Sequence, residues 1–237
     1  MSTQAGSAEP LLVLVGDGAG LGEVIAKAFL GAGYRVAGLS RSNGAAATLN
    51  TASGFQHYLC DVTCQDQVMH GLRAVESELG VPSVAIYNPM QLLIKPFLEL
   101  SVKEFESAWR VSCLGAMLVA QAALPSMLKA GGGTLIFTGA TASIRGSAKF
   151  ASLAAAKFGL RGLAQSLARE FGASGIHVVH TVIDGLIWSP QTVSRFNPSR
   201  EACMAPEEIA QAYLQLVQQP RSCWTHELDL RPADGKF

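Results

Sequence analysis

Charge is scarce in this chain. Asp, Glu, Lys and Arg make up 15% of its 237 residues, against an average of about 25%. Basic and acidic side chains, 18 of each, cancel to a net charge of zero. No block of like charge is present, which argues against a nucleic-acid partner, because neutralising phosphates dominates that affinity. Cysteine is equally uninformative as a framework: Cys60, Cys64, Cys113, Cys203 and Cys223 are odd in number and scattered. With no C-x-x-C and no His at ligand spacing, neither a disulfide scaffold nor a metal site is expected, and a reducing compartment follows. Long apolar runs are missing too. The longest nearly apolar stretch, Cys113 to Ala120, falls well short of the ~18 residues of a bilayer span. The first ten residues carry no basic region, and the LLVLV run after them is too short for a signal core. The expectation is a cytoplasmic protein with no membrane segment.

What remains is hydrophobic and glycine-rich: 49% hydrophobic residues exclude disorder, and 24 glycines exceed the average share. The length fits one domain over 1–237, with 1–9 as a flexible N-terminus. Short branched runs read as strands at Leu11–Val15, Tyr34–Leu39, Phe55–Cys60, Ser83–Tyr87, Thr134–Thr138, His177–Val182 and Trp224–Leu230. Between them, apolar residues recur at helical spacing over 21–30, 64–79, 101–129, 150–171 and 206–218. Runs such as LLVLV are apolar on both faces, as strands of a covered parallel sheet are. The alternation predicts an α/β protein with a doubly wound parallel sheet. Ser101 and Glu104 have capping-box spacing, and Pro206 with Glu207 and Glu208 marks another helix start. Residues 185–203 lack clear periodicity, and so long a connection beside an α/β crevice reads either as a substrate loop or as a plain mobile one.

Chemistry concentrates after the first strand, in Gly16-Asp17-Gly18-Ala19-Gly20-Leu21-Gly22. Glycines there allow a tight turn and a close approach of backbone to a pyrophosphate, whose charge the following helix N-terminus favours. At the end of the second strand stands Ser40-Arg41. A ribose site for NAD usually has a carboxylate at that point, whereas Arg41 can pair with a 2′-phosphate, so NADP(H) is favoured over NAD(H). A solvated Arg at a strand end is the plain alternative. Asp17 opposes this: a carboxylate about 8 Å from a phosphate costs roughly 2 kcal/mol at an effective dielectric near 20, unless it points to solvent.

Gly16-xxx-Gly20-x-Gly22, Arg41, Cys60-Asp61-Val62 after the third strand, and Lys157 early on a long helix together resemble the short-chain dehydrogenase/reductase family. The resemblance runs from about residue 10 to 230. It implies a Rossmann-type seven-stranded sheet of order 3-2-1-4-5-6-7 and a nicotinamide cofactor. Asp61 and Val62 would meet adenine, and Asn88 is what remains of the family's turn after strand four. Asp184-Gly185 resembles the turn after strand six; Ile187 and Ser189 follow it, Ser189 standing where a Thr helps hold the nicotinamide amide. Leu21 belongs to the phosphate turn.

The catalytic half departs from the family. Lys157 fits the Lys of its Tyr-xxx-Lys pair, but the Tyr position is Leu153. The Ser position falls on Ala140, with Thr141 and Ser143 near it, and the Asn position falls on Ser112. A placed general acid is worth about 10²–10⁴ in rate, so its loss matters. Of the four tyrosines only Tyr87, ending strand four, could face the crevice, either as a substitute acid or as a ring packed over the turn. Lys157 lies on an otherwise apolar helix stripe and either snorkels or meets a ribose. His177, His180 and His226 read as structural, since alternation along strands separates His226 from Glu227 and His177 from His180 in direction.

Two readings follow. One is an oxidoreductase passing hydride between nicotinamide and a carbonyl or alcohol, with Lys157 holding the ribose and Ser112, Thr141 or Ser143 relaying the proton. The other is a non-catalytic nucleotide-binding sensor or partner subunit. The substrate would be a small molecule; Trp188, Val193 and Phe196 point to an apolar part. The resemblance implies a homodimer or homotetramer paired through the helices at 101–129 and 150–171.

Overall fold

Residues 9–42, 49 and 54–233 are described by a computed structural model; the N-terminus expected to be flexible lies, except for Glu9, outside the described residues. The strands are β1 (Leu11–Val15), β2 (Arg35–Ser40), β3 (Phe55–Leu59), β4 (Val84–Tyr87), β5 (Gly133–Thr138), β6 (Ile176–Ile183) and β7 (Glu227–Leu230). They form one sheet of order 3-2-1-4-5-6-7, parallel throughout. Among the described residues the α-helices are α1 (Leu21–Gly31), α2 (Gln65–Leu79), α3 (Val102–Trp109), α4 (Gly115–Lys129), α5 (Ala151–Phe171), α6 (Pro190–Phe196) and α7 (Pro206–Val217).

Alternation along β1 shows why its run is apolar on both sides. Leu11, Val13 and Val15 enter one core layer with residues of α2, α4 and α5, while Leu12 and Leu14 enter the other with residues of α1 and α7. Local chemistry sets the helix starts. Ser101 Oγ accepts from Glu104 N–H at 3.2 Å while Glu104 Oε2 accepts from Ser101 N–H at 2.9 Å, the expected capping box. Pro206 opens α7 with two acids in the first turn.

The helix expected over 101–129 is one rod interrupted by a π-helical turn, Arg110–Leu114, between α3 and α4. Such turns insert an extra residue and recur at functional positions. By length and composition the stretch Val102–Lys129 could cross a bilayer, more than its longest apolar run had implied. More than half of its most apolar part is buried inside the fold, so that character serves the core.

The seventh strand, expected from Trp224, begins at Glu227. Trp224 instead stacks on His177 with ring centroids 4.8 Å apart, and Thr225 N–H donates to Gln219 Oε1 at 2.7 Å, which holds these residues off the ladder. The aperiodic stretch 185–203 contains α6, whose first position is Pro190 and whose cap is Ser189 Oγ, accepting from Thr192 N–H at 3.1 Å. Seven residues are too few to display a helical period.

β1 lies between β2 and β4, so the chain leaves it in one direction and returns on the other side. That reversal opens a crevice at the carboxyl ends of β1 and β4, where parallel sheets bind ligands.

Candidate active site

The turn after β1 is held by backbone. Gly16 N–H donates to Leu39 O at 2.8 Å, and Asn88 Nδ2 donates to Gly16 O at 3.1 Å, tying the turn to β2 and β4. A Cβ at Gly22 would stand 2.2 Å from Gly16 O, so α1 can start this close to the turn only with glycine there. At Gly18 the equivalent position faces open space. A tight backbone cradle at a helix N-terminus, open on one side, fits a dinucleotide pyrophosphate.

Two adjoining cavities, of about 400 and 280 Å³, run along the crevice and share Ala19, Leu21, Asn88 and Met90. The smaller is lined by Gly16, Gly18, Gly22, Ser40, Arg41, Asp61 and Val62. Asp61 Oδ1 accepts from Thr63 N–H at 2.9 Å and from its hydroxyl at 2.8 Å. Burial alone would raise the Asp61 pKa, but these bonds and the Arg41 charge outweigh it and hold the carboxyl below its ordinary value. Asp61 is thus an anion and acceptor at the outer end.

The larger cavity receives Gly20, Lys157, Gly185, Ile187 and Ser189. Every cofactor-binding candidate read from the sequence except Asp17 therefore lines one of the two cavities. Lys157 is buried, and its Nζ donates to Thr138 O at 2.7 Å. Burial pushes its pKa down to about 8, against a partial upward pull from Cys113.

The other catalytic candidates are engaged elsewhere. Ser112 lies in the π-helical turn, fully buried, and its Oγ accepts from Gln91 N–H at 3.2 Å. Ser143 Oγ accepts from Ala140 N–H at 3.1 Å, and Thr141 Oγ1 donates to Asp184 Oδ1 at 2.5 Å. None of these three lines either cavity; Ala140 does, and Leu153 is buried in the α5 face outside both. Tyr87 is buried, donates its hydroxyl to Val111 O at 2.5 Å, and is pushed well above the ordinary tyrosine pKa by burial, so it is a packed ring tying β4 to the π turn.

Sequence reasoning missed three features. Asp184 is a clasp: besides Thr141 it meets Arg145 at 3.3 Å and Arg231 at 3.4 Å, joining the 140–145 turn, the end of β6 and the end of β7. An Asp just past the end of an apolar strand carries no signal of three such partners. Arg195 of α6 lines the larger cavity and donates to Leu92 O at 3.2 Å, so the 185–203 stretch is tied across the crevice mouth. The Ser189-Pro190 cap was the available signal for α6. His180 is completely buried with neither ring nitrogen hydrogen-bonded, and burial first, then the Lys157 charge, push its pKa down to about 4.

A glycine turn at the switch point of a parallel sheet, opening into a crevice that ends on a buried lysine, defines a nucleotide-binding protein of the doubly wound α/β class. The family model for short chain dehydrogenase matches residues 11–196, and the chain belongs to that family of nicotinamide-dinucleotide oxidoreductases. It is 26% identical over 228 residues to an uncharacterised oxidoreductase of Staphylococcus aureus, spanning 95% of this chain and 98% of that one. A short-chain dehydrogenase structure from Rhodopseudomonas palustris matches with TM-score 0.82 and 33% identity, over 94% of this chain and 98% of its own. An alcohol dehydrogenase from Thermococcus sibiricus, complexed with 5-hydroxy-NADP, shares the fold with TM-score 0.87 at 23% identity, over 96% and 98% of the two chains.

Proposed function

We propose that this protein binds NADP(H) along the crevice and reduces a small carbonyl compound with an apolar part, or oxidises the matching alcohol. One observation carries the reading: the joined cavities run from Arg41, through the glycine turn, to Lys157. Arg41 takes the 2′-phosphate and Gly16–Gly22 the pyrophosphate, and Lys157 holds the nicotinamide-side ribose. The bound nicotinamide supplies or accepts the hydride.

The chain's own groups must then manage a proton. Lys157 Nζ spends one hydrogen on Thr138 O, which leaves two for groups in the cavity. Burial brings its pKa to about 8, so its ammonium gives up a proton more readily than an ordinary lysine. Lys157 is the proton source of this reading, reaching a substrate oxygen directly or through water. Residues 185–203, with Ile187, Phe196 and the Arg195–Leu92 tie, form the substrate-facing cover. The departure from the family's Tyr and Ser leaves a slow enzyme.

The observation that Ser112, Thr141 and Ser143 are all internally bonded favours a second reading, nucleotide binding without turnover. The outer faces carry Phe97, Leu98, Val102 and Phe158 exposed, which supports a homodimer or homotetramer through the α3–α4 and α5 region. The five free thiols support a cytoplasmic location.

Calorimetric titration with NADPH and NADH tests the binding. NADPH is expected to bind more tightly; a preference for NADH overturns the Arg41 argument, and no binding of either overturns both readings. A carbonyl panel followed by NADPH absorbance then separates slow enzyme from binder. The double change Ala140→Ser with Leu153→Tyr is expected to raise turnover.

A further inference from the structure

Asp17 follows the first glycine of the phosphate turn, yet its carboxylate is turned away from the crevice and completely buried. Neither oxygen accepts a hydrogen bond. Room for it exists because β2 has glycine at position 38: a Cβ there would stand 2.4 Å from Asp17 Oδ2 and 2.7 Å from the Phe55 ring. A buried carboxylate without donors is costly unless a cation or a proton compensates it. The group positioned to do so is His57 of β3, whose Nε2 lies 3.8 Å from Asp17 Oδ2.

His57 also reaches the crevice wall. Its Nε2 is 3.0 Å from Ser40 Oγ, and that hydroxyl donates to Ser42 O at 2.7 Å. Ser40 Oγ therefore accepts from His57, which makes Nε2 the protonated nitrogen and leaves Nδ1 for a further proton. Ser40 lines the smaller cavity beside Arg41. A short chain of contacts thus runs from the cavity wall, Ser40, through His57 to Asp17 beneath it.

Building on the NADP(H) reading above, we propose that Asp17 and His57 act as a proton-carrying pair that reads the 2′-phosphate. A 2′-phosphorylated dinucleotide binds together with a proton, and its dephospho counterpart does not. Without the extra proton the pair is a buried anion under the cavity wall and opposes a phosphate dianion. With it, the imidazolium cancels Asp17 and the wall becomes neutral. A ribose hydroxyl carries no charge and is indifferent to the change. Among the described residues, Arg41 and Asp61 line the same cavity as Ser40, and Lys157, lowered to about 8, lines the adjoining one. Residues 42–56 contain no ionisable side chain. His57 and Asp17 are positioning residues here, acting through Ser40 and through charge.

The test is calorimetry of the full chain with NADPH and with NADH between about pH 6 and pH 8.5, bracketing the ordinary imidazole range. The preference for NADPH over NADH is expected to fall about ten-fold across that range, the size of a screened interaction over one side-chain layer, whereas Lys157, lowered to about 8, acts on both cofactors alike and cancels in the ratio. Repeating both titrations near pH 7.5 in buffers of different ionisation enthalpy should show more proton uptake with NADPH than with NADH, well above the phosphate's own ionisation near pH 6. His57→Gln should flatten the pH profile of that preference. Asp17→Asn should keep at about pH 8.5 the preference for NADPH over NADH that the parent shows at about pH 6, because the opposing charge is gone. If His57→Gln fails to fold, the Asp17→Asn profile and the parent's proton uptake still decide. NADPH binding with no more proton uptake than NADH binding, or a His57→Gln profile matching the parent's, overturns the pair's role and leaves the NADP(H) reading standing. NADH binding without NADPH binding overturns that reading, and the pair's role with it.

Discussion

Lys157→Met separates the electrostatic from the structural role of the lysine that ends the crevice. In the folded chain burial lowers the Lys157 pKa from 10.5 to about 8, so the ammonium is held at a cost. Between those two values the unfolded chain binds more protons than the folded one, and stability therefore rises with pH in that window. Integrated from about pH 7 to about pH 10, the gain is about 2 kcal/mol for the parent protein. Met fills a similar volume and carries no charge, so the variant lacks this gain. Urea denaturation of both proteins across that range measures it, and the difference between them cancels the tyrosines and cysteines that also ionise there. The parent should gain on Lys157→Met by about 2 kcal/mol toward high pH, and the variant should lose about ten-fold in NADPH affinity at neutral pH. Parallel stability profiles would refute the claim that a buried ammonium is held at this position.

Other consequences follow from single contacts. His180, buried without a hydrogen bond and lowered to about 4, is neutral in the fold but protonates in the unfolded chain as pH drops from about 6.5. Stability is therefore lost between about pH 6.5 and 4 by up to roughly 3 kcal/mol, and His180→Leu should blunt that loss in acid denaturation. Gly38→Ala drives a methyl against Asp17 Oδ2 and Phe55 and should destabilise by about 1–3 kcal/mol. Adding Asp17→Ala should recover part of it, and a double-mutant cycle with no coupling would deny the close approach. Gly22→Ala sets a Cβ against the backbone of Gly16, so nucleotide affinity should drop at least about ten-fold in fluorescence titration even where the protein still folds.

Much of the fold was legible because its signals are local. A fully buried parallel strand must be apolar on both faces, and a helix cap needs its hydroxyl at a fixed spacing, so β1, the Ser101 box and the start of α7 follow from neighbouring residues alone. The misread pieces lack such signals. Trp224 looks like strand by propensity, but a ring stacked on His177 decides otherwise. α6 is too short for periodicity to register, although its Ser-Pro start was there to read.

By itself the sequence determined the α/β alternation, the glycine turn after β1, and the presence of Arg41, Asp61 and Lys157 without a Tyr at position 153. These are properties of adjacent residues and of spacing. Which way polar side chains point, and with whom they pair, came from the packing of distant segments. It turned Asp17 inward onto His57, bound Thr141 to Asp184, engaged Ser112 and Ser143 with backbone amides, and buried Lys157 against Thr138 O. The physical reason is that a buried polar group must find its partner among residues brought near by the fold. Those partners are often tens of residues away in the chain, where no local pattern records them.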